Sequence, residues 1–195
     1  MERLVAVAQQ LMPTRSQRTR EAILRAARMH FAADGYQRST IRAIAATASI
    51  DPSMVMRYFG SKEQLFDAAL DVDLGLPDLT GTPMERLPQE LITHFLAPWE
   101  DDLDEGSMRL LLRCAATNER AAEHLRRMLH EQFTSSLRGA LGPERADACS
   151  GVLAAQLLGV AFTRYVLRLR PIADLPVAAL ADLVAPSLRT VLAAE

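Results

Sequence analysis

Residues 40–59 read TIRAIAATASIDPSMVMRYF. Thr40 is a good N-cap for a short helix over IRAIAATA, and Ser49-Ile50 breaks it. Asp51-Pro52 then places a capping side chain before a proline at the first helical position, opening a second helix through Phe59 that Gly60 ends. Two short helices joined by so tight a turn form a helix-turn-helix. Ile41, Ile44, Ala45, Ala48, Ile50, Val55 and Phe59 can pack the pair against a preceding helix, and Ala45 is small enough for a close crossing. The second helix of such a pair projects its N-terminal side chains and fits a major groove ~12 Å wide. Pro52, Ser53, Met54, Arg57 and Tyr58 are the exposed candidates for that contact. Thr40 and Lys62 each begin a helix, where free backbone N–H groups beside a hydroxyl or an ammonium suit a phosphate.

Upstream, Ile23, Leu24, Ala27 and Phe31 form one apolar stripe on a helix that starts near Ser16 or Thr19, runs to Ala33 and stops at Asp34-Gly35. Downstream, Ser61 caps a helix over KEQLFDAALDVDL, and residues 75–87 form a loop punctuated by Gly75, Pro77, Gly81 and Pro83. Further helices are expected over about 88–99, 105–117, 118–140, 143–169 and 176–193, with Pro186 kinking or splitting the last. No strand pattern or hairpin dipeptide is present. The fold class is therefore all-α: an N-terminal three-helix helix-turn-helix domain (16–62) after an arm (1–15), then a C-terminal helical domain (63–195).

The chain has 195 residues and a formal net charge of −2, but the charge is segregated. Residues 1–66 carry ten basic and five acidic side chains; residues 67–195 carry twelve basic and nineteen acidic. A basic end on an acidic body suits a polyanion at one end only. Arg15, Arg18 and Arg20 read as an unstructured arm. No apolar run reaches the ~20 residues that cross a bilayer, and the N-terminus lacks a secretory h-region, so the expected compartment is the cytoplasm and no membrane is expected. Cys114 and Cys149 are too few for a disulfide framework or a four-cysteine zinc site, and the four histidines show no ligand spacing. No nucleophile–base pair, phosphate-cradling loop or paired carboxylates stand out, so no metal, no cofactor and no enzyme activity are expected.

The run from Thr19 to Phe66, TREAILRAARMHFAADGYQRSTIRAIAATASIDPSMVMRYFGSKEQLF, resembles the DNA-binding domain of the tetracycline-repressor (TetR) family of bacterial regulators. Thr19-Arg20, Ile23-Leu24, Ala27, Phe31, Gly35-Tyr36, Thr40-Ile41, Ile44-Ala45, Ala48, Tyr58-Phe59, Lys62 and Leu65-Phe66 carry the likeness. It implies a ligand-responsive transcriptional regulator, expected to be a repressor that binds a palindromic operator in double-stranded DNA as a homodimer. A small-molecule inducer would release it. Arg20, Thr40, Ser53, Met54, Arg57, Tyr58 and Lys62 are then the DNA-binding candidates. Three positions depart from the family pattern: Ser49 where glycine is usual in the turn, Asp51 where serine is common, and Met56 where a tyrosine commonly meets phosphate.

The remainder resembles the family in plan, as a ligand-binding and dimerisation domain. Phe95, Trp99, Met108, Leu111, Leu112, Met128 and Phe133 could line an apolar inducer pocket, with Arg164, His94, Arg113 or Asn118 as polar handles. Each of these residues also suits an ordinary core. Residues 143–169 and 176–193 are apolar on most faces, and two such helices from each subunit could form a four-helix dimer interface. Two rivals stay open on the sequence alone. One is a small-molecule-binding or enzymatic helical domain with a vestigial helix-turn-helix; the other is a ligand-free, sequence-blind DNA binder.

Overall fold

The structure, a computed structural model, describes residues 14–101 and 107–194, all helix and connections with no strand among them. The chain divides into two compact units, one ending at Leu70 and one starting at Asp71. The first unit thus extends beyond 16–62 and takes in the helix that begins at Lys62.

The first unit holds α1 (Arg15–Arg38), α2 (Ile41–Thr47), α3 (Pro52–Phe59) and α4 (Lys62–Leu70). The first helix starts at Arg15 because Thr14 and Gln17 form a capping box, each side chain accepting from the other's backbone N–H. Arg15, Arg18 and Arg20 therefore lie on a helix and not in an arm; residues 1–13 lie outside the described residues. Near its end α1 is interrupted at Gly35, whose φ of 74° suits glycine. Its buried stripe of Ile23, Leu24, Ala27 and Phe31 packs on Leu65, Phe66, Ala69 and Leu70 of α4, with the Phe31 and Phe66 rings edge-on at 5.0 Å. Arg28 Nε donates to the Ala69 carbonyl at the end of α4, which helps stop that helix at Leu70, short of the expected residue 74.

The second unit holds α5 (Leu87–Asp101), α6 (Ser107–Ala115), α7 (Glu119–Leu141), α8 (Pro143–Ala161) and α9 (Val177–Ala193). Here α7 packs along α6 and α8, and α5 along α9. Extended residues 71–79 form a strap on α7. Gln132 exchanges hydrogen bonds with the Leu74 N–H and the Val72 carbonyl, and Ser136 does so with the Leu79 N–H and the Pro77 carbonyl. One turn further on, Gly139 leaves room for Thr80, whose side chain a Cβ would strike.

Residues 143–166 form a helix that is, by length and composition, long enough and apolar enough to cross a membrane, contrary to the sequence expectation. Glycine, serine and glutamine interrupt the apolar run without interrupting the helix. Ala146, Cys149, Leu153, Ala154, Leu157 and Ala161 are buried within the unit, as core residues of a packed bundle are. Helix α9 is not split: it runs through Pro186. The carbonyl that loses its donor there belongs to exposed Asp182, where water can satisfy it.

Helix α8 ends in a π turn, Phe162–Val166, closed by Leu167 N–H donating to the Phe162 carbonyl. Thr163 Oγ1 donates to the Gly159 and Val160 carbonyls at 2.8 and 3.0 Å. The turn presents Arg164 as a junction. Its Nε and Nη2 donate to Glu100 Oε1 at 3.2 and 3.1 Å, and Nη1 donates to the Ile172 and Leu175 carbonyls, both at 2.8 Å. The Tyr165 hydroxyl donates to the same Glu100 oxygen at 2.5 Å. Burial, together with the Glu100 carboxylate, pushes the Tyr165 phenol far above its usual pKa.

Arg164→Ala strips donors from a carboxylate and two carbonyls. Glu100 stays 39% exposed, so the expected cost sits near the lower end for a broken pair, about 2–3 kcal/mol. Thermal unfolding should show a melting temperature lower by roughly 4–12 °C. Arg164→Lys should recover only part of it, since an ammonium cannot span both acceptor sets.

Candidate nucleic-acid interface

Each short helix of the first unit is defined by its ends. Thr40 Oγ1 accepts from the Ala43 N–H at 3.1 Å and caps α2. The turn closes through Ser49 N–H to the Ala46 carbonyl and Ile50 N–H to the Ala45 carbonyl, at 3.1 and 3.0 Å. Ser49 takes a φ of 57°, the left-handed conformation that glycine adopts more cheaply. Asp51 caps α3, accepting from the Ser53 N–H at 2.8 Å and the Ser53 hydroxyl at 2.5 Å. These two bonds, the hydroxyl's first, hold the Asp51 carboxyl below its usual pKa. Gly60, at φ 77°, ends α3, and Ser61 Oγ caps α4. Ile44, Ala45, Val55 and Phe59 are buried, so the corner is closed on its inner side.

That burial orients the outer side chains, and they differ in how free they are. Arg57 is exposed and makes no hydrogen bond or ion pair among the described residues. Ser53 is exposed, but its donor is committed to Asp51. Met54 is half-buried. Tyr58, also half-buried, sets its hydroxyl 3.2 Å from Ser16 Oγ of α1. The Arg20 guanidinium lies 5.2 Å from the centre of the Phe59 ring. Lys62 Nζ sits 4.4 Å from the centre of the Tyr36 ring and 3.4 Å from the Gln37 carbonyl, while the Tyr36 hydroxyl donates to Glu63. Thr40 is exposed at the start of α2. Arg42, which the sequence reading passed over, is exposed in the first turn of α2 and, like Arg57, has no partner among the described residues. Its signal was its position two residues after the Thr40 cap.

The surface therefore offers two unpaired guanidinium groups and the capped starts of α2 and α3 on one helical corner. Among the described residues no group of three metal-ligating side chains comes together. Cys114 and Cys149 are free and buried, and burial raises both thiols.

In the second unit Phe95, Trp99, Met108, Leu111, Met128 and Phe133 are buried, and Leu112 is half-buried. The Phe95 ring lies 6.3 Å from Trp99 and 6.0 Å from Phe133, and Tyr165 stacks on Trp99 at 5.3 Å. The Trp99 indole N–H is buried with no hydrogen-bond partner among the described residues. Arg164 is occupied as the junction described above and is not a free handle. Asn118 is likewise committed, as the N-cap of α7, and His94 lies 3.6 Å from Glu90.

Residues 85–192 match the family model described as "Tetracyclin repressor-like, C-terminal domain", and residues 23–69 match "Bacterial regulatory proteins, tetR family". An HTH-type transcriptional repressor of Mycobacterium tuberculosis is 43% identical over 60 residues, a match spanning 31% of this chain and 32% of that protein. The match thus spans about a third of the length of these curated relatives. A TetR-family regulator from Streptomyces coelicolor A3 is similar at 28% identity and a TM-score of 0.65, covering 91% of this chain and 96% of that one. A TetR-like regulator from Rhodococcus sp. RHA1, 23% identical with a TM-score of 0.62 over 91% of this chain and 96% of that one, shares the fold.

Two outcomes test the local geometry. Ser49→Gly should raise stability by about 0.5–1 kcal/mol, seen as a melting temperature higher by roughly 1–4 °C. Asp51→Asn keeps a capping acceptor and should match the parent at neutral pH. Because the folded carboxyl titrates below its unfolded value, its contribution is present above the unfolded pKa and is lost as pH falls through the folded one. The parent should therefore lose more stability than the variant below pH ~4.

Proposed function

The chain belongs to the tetR family of bacterial regulatory proteins, and from that premise we propose that it is a transcriptional repressor that binds a palindromic operator as a homodimer and is released by a small-molecule inducer. The observation that carries the DNA-binding half is the α2–α3 corner, where Arg57 and Arg42 stand exposed and unpaired beside two capped helix starts. Helix starts present backbone N–H groups to phosphate, and guanidinium groups add the charge. Arg20 and Lys62 are positioned by ring contacts and Thr40 by its cap; all three are phosphate candidates. Ser53 serves DNA as an acceptor while its proton is held by Asp51. Met54 offers apolar contact to a thymine methyl. The neighbour named a repressor in M. tuberculosis favours repression over activation.

The homodimer reading draws on α8 and α9. Val152 is 51% exposed, Phe162 39% and Leu183 68%. Ala155 and Gly159 complete an exposed apolar line on α8 at helical spacing. Ala154 and Ala161 face inward, so they serve the fold rather than a partner. For the inducer, Phe95, Trp99, Met108, Leu111, Leu112, Met128 and Phe133 would line the apolar side of a pocket opened within this core. The Trp99 N–H, without a partner among the described residues, supplies a donor that a ligand acceptor would satisfy. The inducer acts by preferring a conformer in which the two α3 helices no longer match successive major grooves, ~34 Å apart on the operator. A regulator of this kind works in the cytoplasm, with its DNA.

Selection from a random DNA pool should return a palindrome; recovery of no motif would overturn the operator reading. Arg57→Ala should weaken binding to all sequences alike and reduce the slope of log affinity against log salt by about 1. An unchanged slope would remove Arg57 from the phosphate contacts. Phe162→Glu with Val152→Glu should halve the mass measured by light scattering, from twice the 21.5 kDa chain mass to that of one chain. An unchanged dimer would place the interface elsewhere.

A further inference from the structure

Beside the Arg164 junction lies an open cavity of about 350 Å³ at the end of α8. Four arginines line it: Arg109 of α6, Arg164 of the π turn, and Arg168 and Arg170 of the connection to α9. Two carboxylates line it as well, and both are already neutralised. Glu100 is held by Arg164 and by the Tyr165 hydroxyl, and Asp174 pairs with Arg170 at 3.3 Å. That leaves Arg109 and Arg168, neither of which makes a hydrogen bond or ion pair among the described residues. Among the described residues the wall thus carries two positive charges without a paired carboxylate, within a segment, 67–195, where acidic side chains outnumber basic ones nineteen to twelve.

The backbone beneath Arg168 is unusual too. Its φ is 52°, the left-handed region, where a branchless glycine would be unstrained. Strain of this kind is kept where the surrounding structure or a function requires that side chain at that place. The junction fixes the same turn from the other side, because Arg164 Nη1 holds the Ile172 and Leu175 carbonyls. The cavity floor is therefore preorganised and does not depend on a ligand to form it. Planar guanidinium forks match the paired oxygens of carboxylates and phosphates.

We propose that this cavity binds a small dianionic molecule, a phosphate ester or a dicarboxylate, through Arg109 and Arg168. Arg170 is recruited when the ligand displaces Asp174. As the effector of the regulator, such a molecule rests on the reading of the preceding section; as a bound ligand, it does not. The probes are inorganic phosphate and succinate, titrated into the full-length protein by calorimetry at ionic strength held constant with sodium chloride. One or the other should bind saturably at one site per chain, and the two arms tell a phosphoryl group from a dicarboxylate. Arg109→Ala and Arg168→Ala should each weaken that binding at least tenfold, whereas Arg86→Ala, a surface change elsewhere in the unit, should leave it as it was. Arg168→Gly separates recognition from folding. It relieves the left-handed strain, so the ligand-free melting temperature should hold or rise while binding falls as in Arg168→Ala. No saturation by either anion below 10 mM, or equal responses in the Arg109, Arg168 and Arg86 variants, overturns the site. Operator binding measured on the same proteins tests the regulator reading separately: its absence would sink that reading and leave the anion site standing.

Discussion

Helices of seven, eight and nine residues are too short to persist in water, where about 12–15 residues are needed even for favourable sequences. Everything at the α2–α3 corner depends on overcoming that limit. Thr40, Asp51 and Ser61 each satisfy a free N–H at a helix start, and each cap is worth on the order of 1 kcal/mol. The rest comes from burial. Ile44, Ala45, Val55 and Phe59 are closed to solvent, and Ala45 is small enough for its carbonyl to receive the Ile50 N–H across the turn. A larger residue at position 45 or a lost cap would not merely loosen one helix. It would remove the frame that aims α3.

Once the frame exists, the sequence divides its polar side chains between holding the corner and leaving it open. Tyr58 reaches back to Ser16, Lys62 rests on the Tyr36 ring and the Gln37 carbonyl, and Arg20 lies over Phe59. These contacts restrict side chains that would otherwise lose rotamer entropy on meeting DNA. Arg57 and Arg42 have no such restraint among the described residues and keep their donors for an outside acceptor. Asp51 shows how a carboxylate can stand at this corner with its charge already engaged. Its acceptor oxygen is spent on Ser53, and α3 sets its N-terminal N–H groups beside it.

What could be read from sequence follows from how local the cause is. The corner, the apolar stripe of α1 and the Asp51-Pro52 start are local signals, and the structure repeats them. Thr14 and Gln17 are equally local, yet the capping box was hidden behind a proline and a run of arginines that looked like an arm. Leu70 as the end of α4 could not be seen, because Arg28, forty-one positions away, takes the Ala69 carbonyl. The π turn has no sequence signature: it needs Thr163 to bond back to Gly159 and Val160. For a related reason Pro186 does not split its helix. A proline breaks a helix only if the freed carbonyl has nowhere to turn, and at Asp182 it meets solvent. Among the expected pocket residues, periodicity marked Phe95, Trp99 and Phe133 as buried without saying that they would face one another.

Arginine is where composition was least informative and geometry most so. Twenty-one of the 22 basic residues are arginine, and their chemistry is the same at every position; only the allocation of donors tells them apart. Arg164, buried, gives its donors to Glu100 and to the carbonyls of residues 172 and 175, and so acts as a fastener between α5 and the turn before α9. An arginine in that state cannot greet a ligand without leaving a carboxylate and two carbonyls unpaired, a loss no weak effector could offset. Arg109 and Arg168, on the same cavity wall, make no hydrogen bond or ion pair among the described residues and so have none there to give up. The desolvation that a ligand imposes on them is met by its own charge, with no internal bond broken first. For this reason the guanidinium groups without a partner among the described residues are where recognition can occur, both at the cavity and at the helical corner, while the buried, fully bonded one holds the wall in place.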